Sequence, residues 1–109
     1  MQIERLDHLV LTVADIDASC AFYARVLGMQ VQRFGEGRTA LAFGRQKLNL
    51  HAAGRAFEPK ARAPTPGSGD LCFITVTPLA QVRRELEEAA VAIEDGPVQR
   101  TGATGPILS

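Results

Sequence analysis

The sequence predicts an α+β fold built from two β-α-β-β-β modules, the second of them incomplete. The first observation is an internal repeat, in which His8 aligns with Asp70 and the helix-ending Gly28 with Ala90, each 62 positions later. The second is the order strand, helix, strand in both copies. The third is length: the first module finishes near His51, and the repeat places its counterpart near position 113, beyond Ser109. We therefore expect the sequence to lack the last strand of its second module.

The first module opens with a strand and a helix. Apolar residues on both faces of 6–13 predict a strand that is covered on both sides. An apolar stripe at helical spacing follows and predicts a helix. Asp15 or Asp17 can cap the start of this helix, and Gly28 suits its end. The stripe consists of Ile16, Cys20, Tyr23 and Leu27.

Three short runs, 29–34, 39–43 and 47–51, predict an antiparallel meander because turn glycines separate them. The proline-rich segment 52–69 predicts a long loop. A second strand over 70–75, a helix capped by Thr77 before Pro78, and strands to about 100 and from 106 follow. We predict a single domain over 1–109, with module one at 1–53, a linker at 54–68 and a partial module two at 69–109.

Composition excludes several partners. The apolar fraction of 46% is that of a folded chain, and equal numbers of acidic and basic residues, 12 each, give no net charge for binding nucleic acid. The sequence contains no membrane-length apolar run and no signal-peptide pattern, so we expect a cytoplasmic protein. Cys20 and Cys72 both fall in predicted elements, which favours reduced core thiols over a disulfide.

Few residues of the sequence are candidates for binding a metal ion or a substrate. His8 lies on the face of its strand opposite Leu9, and His51 shares a face with Asn49 and Lys47, so both histidines can look into one concave side of the sheet. Imidazole suits divalent transition metals, although each histidine can equally be structural or solvated. Asp70 is a possible oxygen ligand or an ordinary strand-start residue. Candidate substrate contacts, which can also be ordinary surface or packing residues, are Phe34, Arg38, Asn49 and Arg100.

The glycines of 101–106 do not predict a nucleotide site. They follow a strand but open no helix, so the helix N-terminus that would bind phosphate is missing.

The opening LDHLVLTVADIDASCAFYARVLGMQV resembles the first module of the vicinal-oxygen-chelate superfamily, the glyoxalase, bleomycin-resistance and dioxygenase group. The segments RTALAFGRQKLNLH, PTPGSGDLCFIT and GPVQRTGATGPI resemble its lactoylglutathione-lyase-like glyoxalase-domain subgroup. The resemblance covers essentially the whole chain. It implies a curled mixed sheet whose two modules form half-barrels around a metal-binding concavity.

The resemblance also implies a ligand set for a divalent ion such as Zn, Ni, Mn or Fe. His8 matches the first-strand ligand, and the last-strand ligand falls at Asn49 or His51, of which His51 is the better donor. Asp70 stands where family members often have histidine. The fourth ligand, a glutamate that also moves the substrate proton, would lie beyond Ser109, so no catalytic base is identified and this chain is expected to be inactive.

Three functions are compatible with the resemblance. One is a metal-dependent lyase or isomerase of glyoxalase type that acts on a small molecule with vicinal oxygens. Another is a non-catalytic module that binds a small molecule or drug, which the aspartate at position 70 favours. The third is an extradiol-dioxygenase-like oxidoreductase. Family members commonly form dimers, which implies a homodimer here.

Overall fold

A computed structural model describes residues 1–109, which divide into two compact units, Met1–Cys72 and Phe73–Ser109. The first unit has the element order β1-α1-β2-β3-β4, which confirms the predicted first module. Its elements are β1 (His8–Val13), α1 (Ile16–Leu27), β2 (Gln30–Phe34), β3 (Arg38–Phe43) and β4 (Gln46–Ala52). None of the helices in residues 1–109 has the length and apolar character needed to cross a bilayer.

The four strands form one mixed, unclosed sheet in the order β1-β4-β3-β2. β1 pairs in parallel with β4, with His8 opposite Lys47 and Thr12 opposite His51. β2, β3 and β4 pair as the predicted antiparallel meander. The α+β class with a mixed sheet is thus confirmed, and the parallel pair requires the rest of the module as its crossover connection.

Helix α1 begins and ends where the sequence predicts. The carboxylate of Asp15 accepts a hydrogen bond from the Ala18 N–H at 2.9 Å, so Asp15 and not Asp17 is the cap. Gly28 ends the helix in the left-handed conformation, with φ 65°. Asp17 instead lies 3.7 Å from the Arg33 guanidinium.

The core of the first unit lies between α1 and one face of the sheet. Cys20 of α1 and Met29 pack there against buried leucines of β3 and β4, which are Leu41, Leu48 and Leu50. Alternation along a strand sends the neighbouring residues to the other face. That opposite face therefore carries the polar side chains and is free of α1.

The second unit contains α2 (Leu79–Glu88) and a hairpin of β5 (Gln99–Gly102) and β6 (Gly105–Leu108). Residues 70–75, predicted as a strand, belong to no sheet. The equivalent β1 pairs only with β4, the last strand of its module. Segment 70–75 has no strand partner in residues 1–109, whereas β1 pairs with β4 along its whole length.

Two local expectations are wrong. Pro78, not Thr77, occupies the position before α2, and no side chain caps that helix. Thr77 instead donates its backbone N–H to the hydroxyl of Thr75 at 3.1 Å. Cys20 is a buried free thiol as expected, but Cys72 is exposed because segment 70–75 is not enclosed in a sheet.

Ala90 has φ 57°, the left-handed region that disfavours residues with a Cβ, and is the repeat equivalent of Gly28. We expect Ala90→Gly to raise the free energy of unfolding by about 1 kcal/mol and Gly28→Ala to lower it by about as much. A Cβ at Gly28 would meet no atom within 4 Å, so its cost is conformational alone. Urea denaturation of both variants measures these changes, and a destabilised Ala90→Gly chain would contradict the argument.

Candidate functional site

The sheet face opposite α1, here called the polar face, is the candidate site. The register aligns its side chains in rows across the four strands, with His8 beside Lys47, Val10 beside Asn49 and Thr12 beside His51. The rows continue across β3 and β2. Phe34 and Arg38, both predicted as substrate contacts, lie in the same row as His51. The remaining members of the face are Gln30, Gln32, Ala40 and Ala42.

Two side-chain atoms on this face are buried and have no hydrogen-bond partner. They are Oδ1 of Asn49 and Nδ1 of His51, two residues apart on β4. His51 is only 4% exposed. Because a buried polar atom without a partner costs roughly 1–3 kcal/mol, such pairs are rare in folded proteins and are typical of sites that receive another group.

Two cations of the same face lie over aromatic rings. The Arg38 guanidinium carbon is 5.0 Å from the centre of the Phe57 ring, and the Lys47 ammonium is 4.2 Å from that of Phe34. Neither cation forms an ion pair with a carboxylate within residues 1–109. Their charges are therefore available to an anion, held in place by the faces of the rings.

A hollow of about 400 Å³ opens where β2 turns into β3. Phe34 and Phe57 supply apolar walls, Arg38 supplies a cation, and Gly35 and Glu36 complete the lining. Phe57 also contacts His51, with ring centres 4.2 Å apart and the rings tilted by 37°. Phe57 therefore contacts both the hollow and the buried imidazole, whereas His51 itself does not line the hollow.

Burial and, to a smaller extent, the nearby Arg38 charge lower the pKa of the His51 imidazole below 6.5. His51 is thus neutral near pH 7, and Nδ1 can accept a hydrogen bond in the tautomer that carries its proton on Nε2. A neutral imidazole next to a guanidinium provides an acceptor and a fixed positive charge side by side.

The three predicted metal ligands do not come together. His8 and His51 share the polar face, but four strand positions separate their rows, a distance of about 13 Å. Asn49 is the nearer partner, diagonal to His8 with Cα atoms about 8 Å apart. The His8 imidazole is exposed, and its Nδ1 lies 2.8 Å from the Asp7 carboxylate. That contact lowers the pKa of Asp7.

Asp70 is exposed, in segment 70–75 outside any sheet. Arg100 belongs to β5 in the second unit, where its guanidinium lies 3.1 Å from the Asp95 carboxylate. Across residues 1–109 no group of three histidine, cysteine or acidic side chains is gathered for a metal ion.

Sequence reasoning missed Phe57 and Glu36. Phe57 is the only aromatic residue of the proline-rich loop 52–69, and a bulky ring in such a segment is a signal of contact with the sheet. Glu36 gave no such signal, because an acidic residue between two turn glycines is ordinary.

The buried His51 predicts a pH-dependent stability. Protonation favours the unfolded chain, so the stabilisation is complete above about pH 6.5 and decreases as the pH falls toward the lowered pKa of the folded state. Within that window each pH unit changes the unfolding free energy by up to about 1.4 kcal/mol. Urea denaturation at pH 7.5 and 5.5 should show a smaller difference for His51→Gln than for the unaltered chain. His8→Gln, at an exposed position, is the control, and equal pH dependence in all three chains would contradict the assignment.

Comparison with known proteins connects this geometry to a family. The model of the Glyoxalase/Bleomycin resistance protein/Dioxygenase superfamily matches residues 5–105. The match includes all of the polar face and the loop that carries Phe57.

The chain is similar along its full length to two curated proteins. It is 56% identical over 109 residues to Virulence protein STM3117 of Salmonella typhimurium, covering 100% of this chain and 76% of that protein. It is 52% identical over 109 residues to Glyoxalase domain-containing protein RDO1 of Mycosarcoma maydis. The chain spans 61% of the length of that second protein.

Solved structures share the fold. An integron cassette protein from the mobile metagenome of V. Cholerae superposes with a TM-score of 0.96 at 56% identity, covering 99% of this chain and 84% of that one. A lactoylglutathione lyase from Agrobacterium tumefaciens gives a TM-score of 0.65 at 20% identity, covering 96% of this chain and 82% of that one. At that identity the likeness concerns architecture alone.

Proposed function

Because this chain belongs to the Glyoxalase/Bleomycin resistance protein/Dioxygenase superfamily, we propose that it binds a small molecule with vicinal oxygen atoms on its polar face. The observation that carries the proposal is the pair of buried, unpartnered atoms, Asn49 Oδ1 and His51 Nδ1. Their desolvation cost is offset when a ligand supplies hydrogen-bonding groups.

The charges of the face support an anionic ligand. Arg38 and Lys47 have no carboxylate partner, and a guanidinium binds a carboxylate through two parallel hydrogen bonds. Glu36 at the rim of the hollow opposes them with one negative charge. The Lys47 charge also acts on the Asp7 carboxylate, where it helps to lower the Asp7 pKa, so the case for an anionic ligand rests on the unpaired guanidinium of Arg38.

NMR titration of the ¹⁵N-labelled chain tests this binding. We expect lactate, catechol or S-lactoylglutathione to shift the backbone amides of Asn49 and His51 more than those of β5 and β6. Asn49→Ala should reduce the shift, whereas Gln99→Ala in β5 is the matched control on an exposed strand. Absence of shifts at the polar face with all three compounds would contradict the proposal.

A metal-dependent lyase or isomerase of glyoxalase type is the second candidate, supported by the diagonal placement of His8 and Asn49. A bound divalent ion would polarise the vicinal oxygens as a Lewis acid. The residues present do not form a complete ligand set, since a catalytic zinc site has three protein ligands and only these two adjacent donors are found. No reaction step is therefore assigned to a metal in this chain.

Metal analysis after purification without chelator separates this candidate from binding alone. A glyoxalase-type or dioxygenase-type site predicts a near-stoichiometric divalent ion that is lost in His8→Ala and kept in His51→Gln. A metal-free chain that still binds its ligand supports a binding module like the bleomycin-resistance members and contradicts both metal-dependent activities.

We further infer a homodimer, from the family resemblance, and a cytoplasmic location, from the sequence pattern of 1–109. Light scattering during gel filtration tests the first, because a monomeric mass at micromolar concentration would contradict it. Cell fractionation tests the second.

A further inference from the structure

We propose that the hollow lined by Phe34, Arg38 and Phe57, together with the His51 imidazole that Phe57 contacts, selects an aromatic 2-hydroxy acid, a ligand that combines a carboxylate, a neighbouring hydroxyl and an aryl ring. This inference rests on the proposed small-molecule binding and names the class of ligand. It follows from three groups that the polar face brings together: an unpaired guanidinium, a buried imidazole without a partner, and two phenylalanine walls.

The carboxylate is assigned to Arg38. The Arg38 guanidinium carbon lies 5.0 Å from the centre of the Phe57 ring, and the group makes no hydrogen bond or ion pair in residues 1–109, so its N–H groups are available. The planar guanidinium presents paired donors that match the two oxygens of a carboxylate.

The hydroxyl is assigned to His51. Extending the β3–β4 register by one row beyond Thr39 and Leu50 places His51 opposite Arg38, and side chains in such positions are about 5 Å apart at Cβ. A group bound to the imidazole must therefore be close to the carboxylate, as the hydroxyl of a 2-hydroxy acid is. Nδ1 of the neutral imidazole accepts the single hydroxyl proton in a hydrogen bond, so Asn49 Oδ1, two residues along β4, requires a separate donor.

The aryl ring is assigned to the space between Phe34 and Phe57. Both rings line the hollow, whose volume of about 400 Å³ exceeds that of a single benzene ring. The Phe57 ring contacts the His51 ring, whose Nδ1 is buried, and Phe57 belongs to a loop outside regular structure, so this ring must move away from the imidazole when the hydroxyl enters.

The experiment compares mandelate with three analogues that each lack one feature, using calorimetric titration of the unaltered chain. Phenylacetate lacks the hydroxyl, lactate lacks the ring, and mandelamide lacks the charge. We expect mandelate to bind at least about tenfold more tightly than each analogue, since one good hydrogen bond or ring contact is worth about that factor. The comparison needs no variant, so it does not depend on whether a variant folds.

Variants then assign each feature to a residue. Arg38→Gln should weaken mandelate, phenylacetate and lactate alike, whereas Arg45→Gln, on the turn at the other end of β3, is the matched control. His51→Phe keeps an aromatic partner for Phe57 and should remove only the advantage of mandelate over phenylacetate. Glu36→Gln should strengthen binding of every anion, because it removes the opposing charge.

Equal affinities for mandelate and phenylacetate would overturn the selection of a hydroxy acid while leaving small-molecule binding intact. Failure of mandelate to bind, with shifts from lactate or catechol in the NMR titration, would likewise overturn only this inference. Failure of every compound at the polar face would overturn the proposed function as well.

Discussion

Leu41→Ala should lower the free energy of unfolding by about 3–5 kcal/mol, the largest single effect expected in this chain. Leu41 is 0% exposed, lies in β3 between its neighbours β2 and β4, and packs in the cluster formed with Cys20 of α1. Removing the side chain leaves a cavity. Because the sheet and α1 are already in contact, they can close this cavity only in part. A loss of this size is a large fraction of the stability of a small domain.

Urea denaturation followed by far-ultraviolet circular dichroism measures the loss, with Leu6→Ala as the matched control. Leu6 is 56% exposed, so the same substitution there should change the unfolding free energy by less than about 0.5 kcal/mol. Similar losses in the two variants would mean that the cluster around Leu41 is not the core of the first unit.

Asn49→Val should stabilise the chain, by about 1–2 kcal/mol. The amide oxygen of Asn49 is buried without a hydrogen-bond partner, and an apolar β-branched residue in its place removes that penalty and suits a central strand. Val10, directly opposite on β1, offers an apolar neighbour of matching shape. The same substitution should weaken ligand binding, because it removes one of the two acceptors on the polar face.

Opposite changes in stability and binding are the signature of a residue retained for function. Thermal denaturation and NMR titration with catechol, whose two hydroxyl groups can donate to both acceptors, measure the two changes on the same protein. Gln32→Val, on the same face but exposed in the edge strand β2, is the control and should alter neither quantity strongly. A destabilised Asn49→Val chain would show that the amide has a partner, such as an ordered water.

Sequence periodicity was sufficient to predict the first module, because each of its elements carries both an apolar pattern and a matching end signal. In the helix over 16–27, the cap is Asp15, one of the two predicted candidates, and the end at Gly28 is confirmed. Ile16, Cys20 and Tyr23 of the predicted stripe pack in the core, whereas Leu27 is 44% exposed. The strand predicted at 70–75 has an equally apolar pattern but no partner. A strand is stabilised by its neighbour, and residue pattern alone does not report whether that neighbour is present.

The sequence was sufficient to predict which face of the sheet each candidate residue occupies, but not the distances between those residues. Alternation along β1 and β4 correctly placed His8, Asn49 and His51 on one side of the sheet. The separation of the two histidines depends on register between strands far apart in sequence, which no local pattern encodes. Phe57 was not predicted as a site residue because a residue in a loop belongs to no periodic pattern. Its contact with the His51 ring is a tertiary contact.

The parallel pairing of β1 with β4 has a consequence for synthesis on the ribosome. β1 precedes the other elements of its module, yet its only strand partner is the last strand of that module, so its apolar side chains stay uncovered while α1, β2 and β3 are synthesised. Pairings between distant segments form slowly because a long loop must first close. Chaperone dependence during translation should therefore fall when β1 is moved, by circular permutation, to follow β4.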